Sequence, residues 1–427
     1  MPGQRPYIDT PGPRTDTSWV RHRSARHHAA LAGVIGAALT ASPSVDADDI
    51  GINGETPAVL ADSAPAGLRD AAAAHGLSFD VTGVGDYSLV LDGGASPRAS
   101  AARYLIEAGV TLDTARAFGL PGGKLRAAYV GFHGDNGNLD TGDLQVYSNI
   151  DETPFDAFYA LWYRQSLFND HLALKIGKMD INDDFAYVDN GQGFIHSSPG
   201  FSPTVLGFPS YPDPATGVAV FASLPSGWYA RAGIYDGSSL NGRRTGTRGP
   251  RDFLTNDDRF TIGEAGLDYR LGDRTGRLGV GYWRHASTLE RFDGGTDNGS
   301  DGLYIVWDQS LYADPTSTFA IDGFAQYGQA DDTVSEMTSH VGAGVQITGL
   351  FQGRDADVTG FMASRVGLSN APGADFTADQ ETAIEVFHAV RATNWLTIKP
   401  DFQYIINPGG MGLDDARVAT LRVEANI

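Results

Sequence analysis

In Leu77-Ser78-Phe79-Asp80-Val81-Thr82 every odd position is apolar and every even position polar. Side chains of an extended chain point alternately to its two faces, so a period of two describes a strand with one apolar and one polar surface. The pattern returns to the end of the chain. Leu278, Val280 and Tyr282 alternate with Arg277, Gly279, Gly281 and Trp283; Leu396, Ile398, Phe402 and Tyr404 alternate with Thr397, Lys399, Asp401 and Gln403; Ala419, Leu421, Val423 and Ala425 alternate with Thr420, Arg422, Glu424 and Asn426. Candidate strands begin near His75, Arg103, Lys124, Phe155, His171, Gly217, Trp228, Phe260, Gly276, Gly302, Ser317, His340, Asp357, Glu381, Asn394 and Asp415. That makes about 16 segments of roughly 9 to 12 residues, the length that crosses a bilayer as a tilted strand. The segment 357–366 has an ambiguous register.

The links between these segments fall into two kinds. Asn169-Asp170, Leu224-Pro225-Ser226-Gly227, Gly272-Asp273-Arg274-Thr275, Ala313-Asp314-Pro315-Thr316 and Ala392-Thr393 are short and rich in hairpin residues. They alternate with long acidic links at 133–154, 180–216, 237–259, 288–301 and 367–380. Short turns at one end and long loops at the other, with aromatics such as Trp228, Tyr282, Trp307 and Trp395 near strand ends, predict a 16-stranded antiparallel transmembrane β-barrel. A sandwich has no reason to sort its links this way, and no blade-like repeat is present.

Composition narrows the function. The chain has 427 residues, 31 Lys and Arg against 52 Asp and Glu, and no Cys. A net charge of -21 repels a phosphate backbone, so nucleic acid is excluded as a general partner. Without Cys there is no disulfide scaffold, thiolate nucleophile or Cys-ligated metal. The sequence holds no His-Glu-x-x-His, Walker loop or Gly-x-Ser-x-Gly elbow, and no complete Ca²⁺ loop. We expect neither a cofactor nor an enzyme. Asp183-Asp184 and Asp331-Asp332 are adjacent carboxylates in acidic loops, where solvation is a far commoner role than glycoside chemistry.

Arg21, Arg23 and Arg26 precede the apolar run AALAGVIGAALTA at 29–41. A basic flank, a short apolar core and small residues beyond it predict an export signal. We expect residues 1–47 to be leader, 48–74 a periplasmic segment ending in a short helix over AGLRDAAAA, and 75–427 the barrel.

On the polar register, Glu107, Arg126, Asp156, Trp162, Arg164, Lys175 and Arg231 are expected to point into the lumen, together with Lys124, Glu264 and Asp268. Guanidinium and carboxylate groups bond sugar hydroxyls, and a flat aromatic ring suits the C–H face of a pyranose. Asp156, Phe158, Ala160, Trp162 and Arg164 alternate with Tyr159, Leu161 and Tyr163 and are expected to share the inner face. The competing reading is that such charges only satisfy one another inside a wet barrel. The longest link, 180–216, carries Asp180, Asp183, Asp184, Phe185, Tyr187, Phe194, Phe201, Phe208 and Tyr211. So aromatic a loop needs a surface to pack on, and the barrel interior is expected to supply it, making this the constriction loop.

The runs TGDLQVYSNI at 141–150 and FDAFYALWYRQSLFNDHLALKIGKMDINDDF at 155–185 resemble the carbohydrate-selective porin family (OprB-like) of Gram-negative outer membranes. LDTARAFGLPGG at 112–123, FIHSSPG at 194–200 and LTIKPDFQYIINPGG at 396–410 resemble it too. The resemblance implies a 16-stranded barrel in the outer membrane that passes mono- or small oligosaccharides passively and selectively. It implies outer-membrane lipid, lipopolysaccharide and the barrel-assembly machinery as surroundings, in a monomer or a trimer. Members usually end in Phe, which that machinery reads; here Ile427 stands in its place, after a strand that keeps its alternation. A general diffusion porin for ions and small polar solutes is the alternative.

Overall fold

The computed structural model describes residues 66–241, 249–255 and 257–427. The leader expected over 1–47 lies outside them. Helix α1 (Ala66–Ala74) leads into sixteen strands: β1 (Leu77–Asp92), β2 (Ser100–Asp113), β3 (Gly123–Gly134), β4 (Phe155–Leu167), β5 (Leu172–Met179), β6 (Ala215–Ser223), β7 (Trp228–Asp236) and β8 (Arg259–Leu271). The second half follows as β9 (Arg274–Glu290), β10 (Thr296–Ala313), β11 (Ala320–Ala330), β12 (Met337–Thr348), β13 (Val358–Leu368), β14 (Gln380–Arg391), β15 (Leu396–Ile406) and β16 (Ala416–Asn426). Each strand pairs with its sequence neighbours, and β16 closes on β1 with Leu421 opposite Tyr87. A closed antiparallel sheet has no free edge, which is the condition for a strand to cross hydrocarbon.

All the expected strand starts but one fall within three residues of those observed. The exception is β10. The stretch expected as a long loop at 288–301 is instead a tight turn between extended strands. Asp293 accepts from the Gly295 amide at 3.0 Å, Arg291 donates its own amide to Gly295 O at 2.9 Å, and a bulge on β9 sets Ala286 and Ser287 opposite the single Gly299, whose φ is +96°. Gly, Asn and Asp thus served a turn and a bulge.

The alternation sorts as the membrane requires. Leu278, Val280 and Tyr282 on the outer wall of β9 are 44%, 52% and 53% exposed, while Arg277 and Trp283 on the inner wall are 7% and 0%. The ambiguous register of β13 has a physical cause. Phe361 faces out, but Met362 faces in and is equally apolar, because it packs on a loop that enters the barrel.

That loop is the link between β5 and β6, residues 180–214. Its Ile181, Phe185, Val188 and Phe194 pack against inward side chains of distant strands, among them Tyr235, Trp283, Tyr304, Phe324, Met362 and Phe387. Phe194 meets Phe324 and Phe387 edge-on at 5.6 and 5.0 Å. Wall carboxylates secure its main chain: Ala186 N donates to Glu264, Asn190 N to Asp308, and Ile195 N and His196 N to the two oxygens of Glu385 at 2.7 and 3.0 Å. Bonds to a charged acceptor contribute about 1.5–3 kcal/mol each where water is excluded. The preceding loop, 135–154, is fixed to the same wall through Leu144 N and Gln145 N on Glu381, and pairs with the first through Asn149 N to Ile195 O at 2.8 Å.

Candidate functional site

β4 carries a bulge that decides which side chains enter the lumen. Ala128 faces Ala160 across the β3–β4 ladder but Tyr129 faces Phe158, so Tyr159 is an extra residue. One inserted residue reverses the facing of everything beyond it. Trp162 and Arg164, on the short-turn side, keep the inward register. Asp156 and Phe158 do not: they point outward, and Asp156 bonds His133 Nε2 at 3.1 Å near the long-loop rim. The expectation that Asp156 shares the inner face with Arg164 is corrected by that bulge. Tyr159 itself is buried and donates its hydroxyl to Asp180 at the root of the crossing loop.

Strands β4 to β9 present a recess of about 170 Å³, lined by Arg164, Phe221, Tyr229, Arg231, Asp268 and Arg277, with Tyr187 of the loop as its cover. Its guanidinium groups lie over aromatic rings. Arg164 is 4.8 Å from the Phe221 centroid, Arg231 is 5.0 Å from both Tyr187 and Tyr229, and Arg277 is 4.1 Å from Tyr187. Such stacking holds the fork of donors in one plane. Arg231 pairs with Glu264 across the β7–β8 ladder, and Arg277 pairs with Asp308 at 2.9 Å. Arg164 has no carboxylate partner among the described residues, and its stacking on Phe221 leaves its donors toward the recess.

The other expected residues form two separate groups. Lys175 binds Asp184 at 2.6 Å and sits 4.5 Å over the Trp162 ring, so the indole faces an ammonium rather than the recess. Arg126 bonds Asp80 at 2.8 and 2.9 Å and Glu107 at 3.0 Å, all facing inward from β1, β2 and β3. Phe185 and Phe194 are fully buried in the loop–wall contact. Asp183 keeps access to lumen water; enclosure within the barrel and the neighbouring Asp180 carboxylate push it up to about 8. His196, by contrast, is buried outright, and burial holds it down to about 3, so it enters the contact neutral.

Of the residues expected in the lumen, the structure thus gathers Arg164, Arg231 and Asp268 in one place, with Glu264 behind Arg231. It adds Phe221, Tyr229 and Arg277, which the sequence did not single out. A signal was present. Aligning the strands about the 224–227 turn places Phe221 directly opposite Arg231, and Tyr229 is two residues from Arg231 on the same face.

Comparison with known proteins agrees with this geometry. Porin B of Pseudomonas aeruginosa is 22% identical over 306 residues, which cover 62% of this chain and 66% of that protein, just under two thirds of its length. The high-pH structure of Pseudomonas putida OprB superposes with a TM-score of 0.76 at 19% identity, covering 84% of this chain and 96% of the other. Its low-pH structure gives 0.56 at 18% identity with the same coverage. At that identity the likeness establishes the barrel. The family model described as carbohydrate-selective porin, OprB family, matches residues 98–426. Across β2 to β16, recess and crossing loop included, the chain therefore belongs to the OprB family of carbohydrate-selective porins.

Proposed function

We propose that neutral sugars cross the barrel by way of the arginine–aromatic recess, passively and selectively, with the loop 180–214 as the constriction. Family and fold make the chain an outer-membrane porin. One observation carries the substrate reading: three guanidinium groups lie over aromatic rings around a single recess. A pyranose presents hydroxyls around its rim and C–H groups on its faces, and this surface offers planar donors beside apolar rings. Charge balance supports a neutral solute. Arg231, Arg277, Lys175 and Arg126 each have a carboxylate, so these four cations border the lumen as balanced pairs that offer hydrogen bonds.

In this reading the protein is a channel and not an enzyme. Residues 1–47 are removed on export, the barrel-assembly machinery inserts the strands, and lipid and lipopolysaccharide surround the outer wall of a monomer or trimer. Single-channel current recorded during a sugar titration tests the transport reading. Concentration-dependent block, with liposomes swelling faster in monosaccharide than in a ringless polyol of similar size, supports it. No block and equal swelling rates would return the chain to a general diffusion porin.

A further inference from the structure

Two wall carboxylates touch both halves of the site, and each divides its oxygens in the same way. Glu264 on β8 is fully enclosed. Its Oε1 accepts from Tyr229 Oη at 2.8 Å and from Arg231 through Nε at 3.2 Å and Nη2, with Arg277 Nη1 at 3.8 Å. Its Oε2 accepts from the loop amide of Ala186 at 3.1 Å and from Tyr304 Oη at 2.8 Å. Asp308 on β10 repeats the division. Oδ2 takes Arg277 Nη2 at 2.9 Å and Oδ1 takes the loop amide of Asn190 at 2.9 Å. Arg277 closes the figure by donating to the loop carbonyl of Tyr187 at 2.6 Å.

The wall between them is cut away to admit this arrangement. Gly281 faces Glu264 across the β8–β9 ladder, and a Cβ there would stand 2.0 Å from the Tyr304 ring. At Gly279 a Cβ would stand 2.7 Å from Tyr229 Oη and 2.8 Å from Glu264 Oε1.

We propose that Glu264 and Asp308 are positioning residues that set the selectivity of the recess. Each fixes one guanidinium and one stretch of the crossing loop relative to the other, and each cancels the charge of its arginine. This rests on the sugar reading for what the recess recognises, but not for how it is tested. Without its carboxylate, Arg231 or Arg277 would keep its ring but add an unbalanced positive charge to the recess, drawing anions, and would lose its link to the loop amide. Held by a carboxylate that also grips the loop, it stays at a fixed distance from Tyr187 and presents a neutral, ordered surface. Enclosed ion pairs are weak evidence for stability but good candidates for specifying one arrangement.

The test uses full-length, folded barrel and the variants Glu264→Gln and Asp308→Asn, which keep an acceptor for the loop amide and remove the charge. Folding is checked by retention of the compact band in SDS before boiling. In a KCl gradient the reversal potential of each variant should move toward anion preference, and the sugar concentration for half-block should rise about fivefold. Adding Arg231→Gln to Glu264→Gln should restore the reversal potential and leave the block weak. Unchanged reversal potentials in folded variants, or failure of both variants to form a barrel, would assign the two carboxylates a purely structural role and overturn the proposal. If wild-type protein shows no sugar block, the substrate reading fails, while the reversal potential still reports on positioning.

Discussion

The wall formed by β13 to β16 and the wall formed by β4 to β9 both bury charge, yet they use it differently. On β14, Glu381 and Glu385 hold main-chain amides of two loops, and Asp86 on β1, the strand next to β16, grips Arg422 through two bonds of 2.7 and 2.8 Å. That side is filled by the two loops, and Asp86, Glu381 and Glu385 are fully buried. On β8 and β10, Glu264 and Asp308 give one oxygen to the crossing loop and the other to guanidinium groups that border the recess. An inward charge is therefore no evidence of a pathway by itself. What matters is whether its partners all lie in the filled part of the barrel or include a side chain that borders the recess.

Removing the loop should erase the distinction. Excising most of residues 187–211 opens the filled side, and open-channel conductance should rise severalfold with loss of sugar block; unchanged conductance would show that the loop does not limit flow. Breaking the filled wall at its charge cluster comes next. Asp86→Ala leaves Arg422 and Arg103 enclosed without it, a cost of about 3–5 kcal/mol. The heating temperature at which the compact SDS band disappears should fall clearly, and a wild-type value would mean that water reaches these groups.

A contrast within β4 sharpens the other wall. Arg164→Ala should weaken sugar block by a fewfold, since water competes for its donors in an open recess. Asp156→Ala should leave block unaltered, because that side chain is outside the barrel; an effect of Asp156→Ala equal to that of Arg164→Ala would contradict the bulge.

The smallest effect concerns pH. Asp183 is held up near 8 by enclosure and by Asp180, with Asp184, Glu107 and Lys175 as its other charged neighbours. A raised carboxyl favours the folded state below its unfolded value near 4 and loses that contribution as pH climbs through 8. Over the same climb the lumen gains a negative charge. Between pH 6 and 9 the reversal potential should drift toward cations, and Asp183→Asn should flatten the drift. A drift of the same size in Asp183→Asn would place the titrating group elsewhere.

Strand positions were legible because lipid on one side and water or loop on the other impose a period of two on each segment. Facing within a strand was less so. Nothing in Asp156-Ala157-Phe158-Tyr159-Ala160 announces that Tyr159 is the unpaired residue, since the bulge is set by the Ala128–Tyr129 pairing on β3. The recess escaped for a related reason. Phe221, Arg231, Glu264 and Arg277 lie on four strands, and only the ladder registers bring them together. Trp162 drew attention as a large flat ring, but its face is taken by Lys175, a cross-strand relation one sequence cannot display.

The straps on the crossing loop also impose an order in time. Ile195 and His196 reach Glu385 across 190 and 189 positions of sequence, and Asn190 reaches Asp308 across 118. Contacts between such distant positions form only after the intervening chain has been placed. The straps to Glu385 cannot close until β14 has joined the sheet, so the loop is fully seated only as the cylinder itself closes. Closure of the barrel and the final seating of its crossing loop are thus late steps of one maturation.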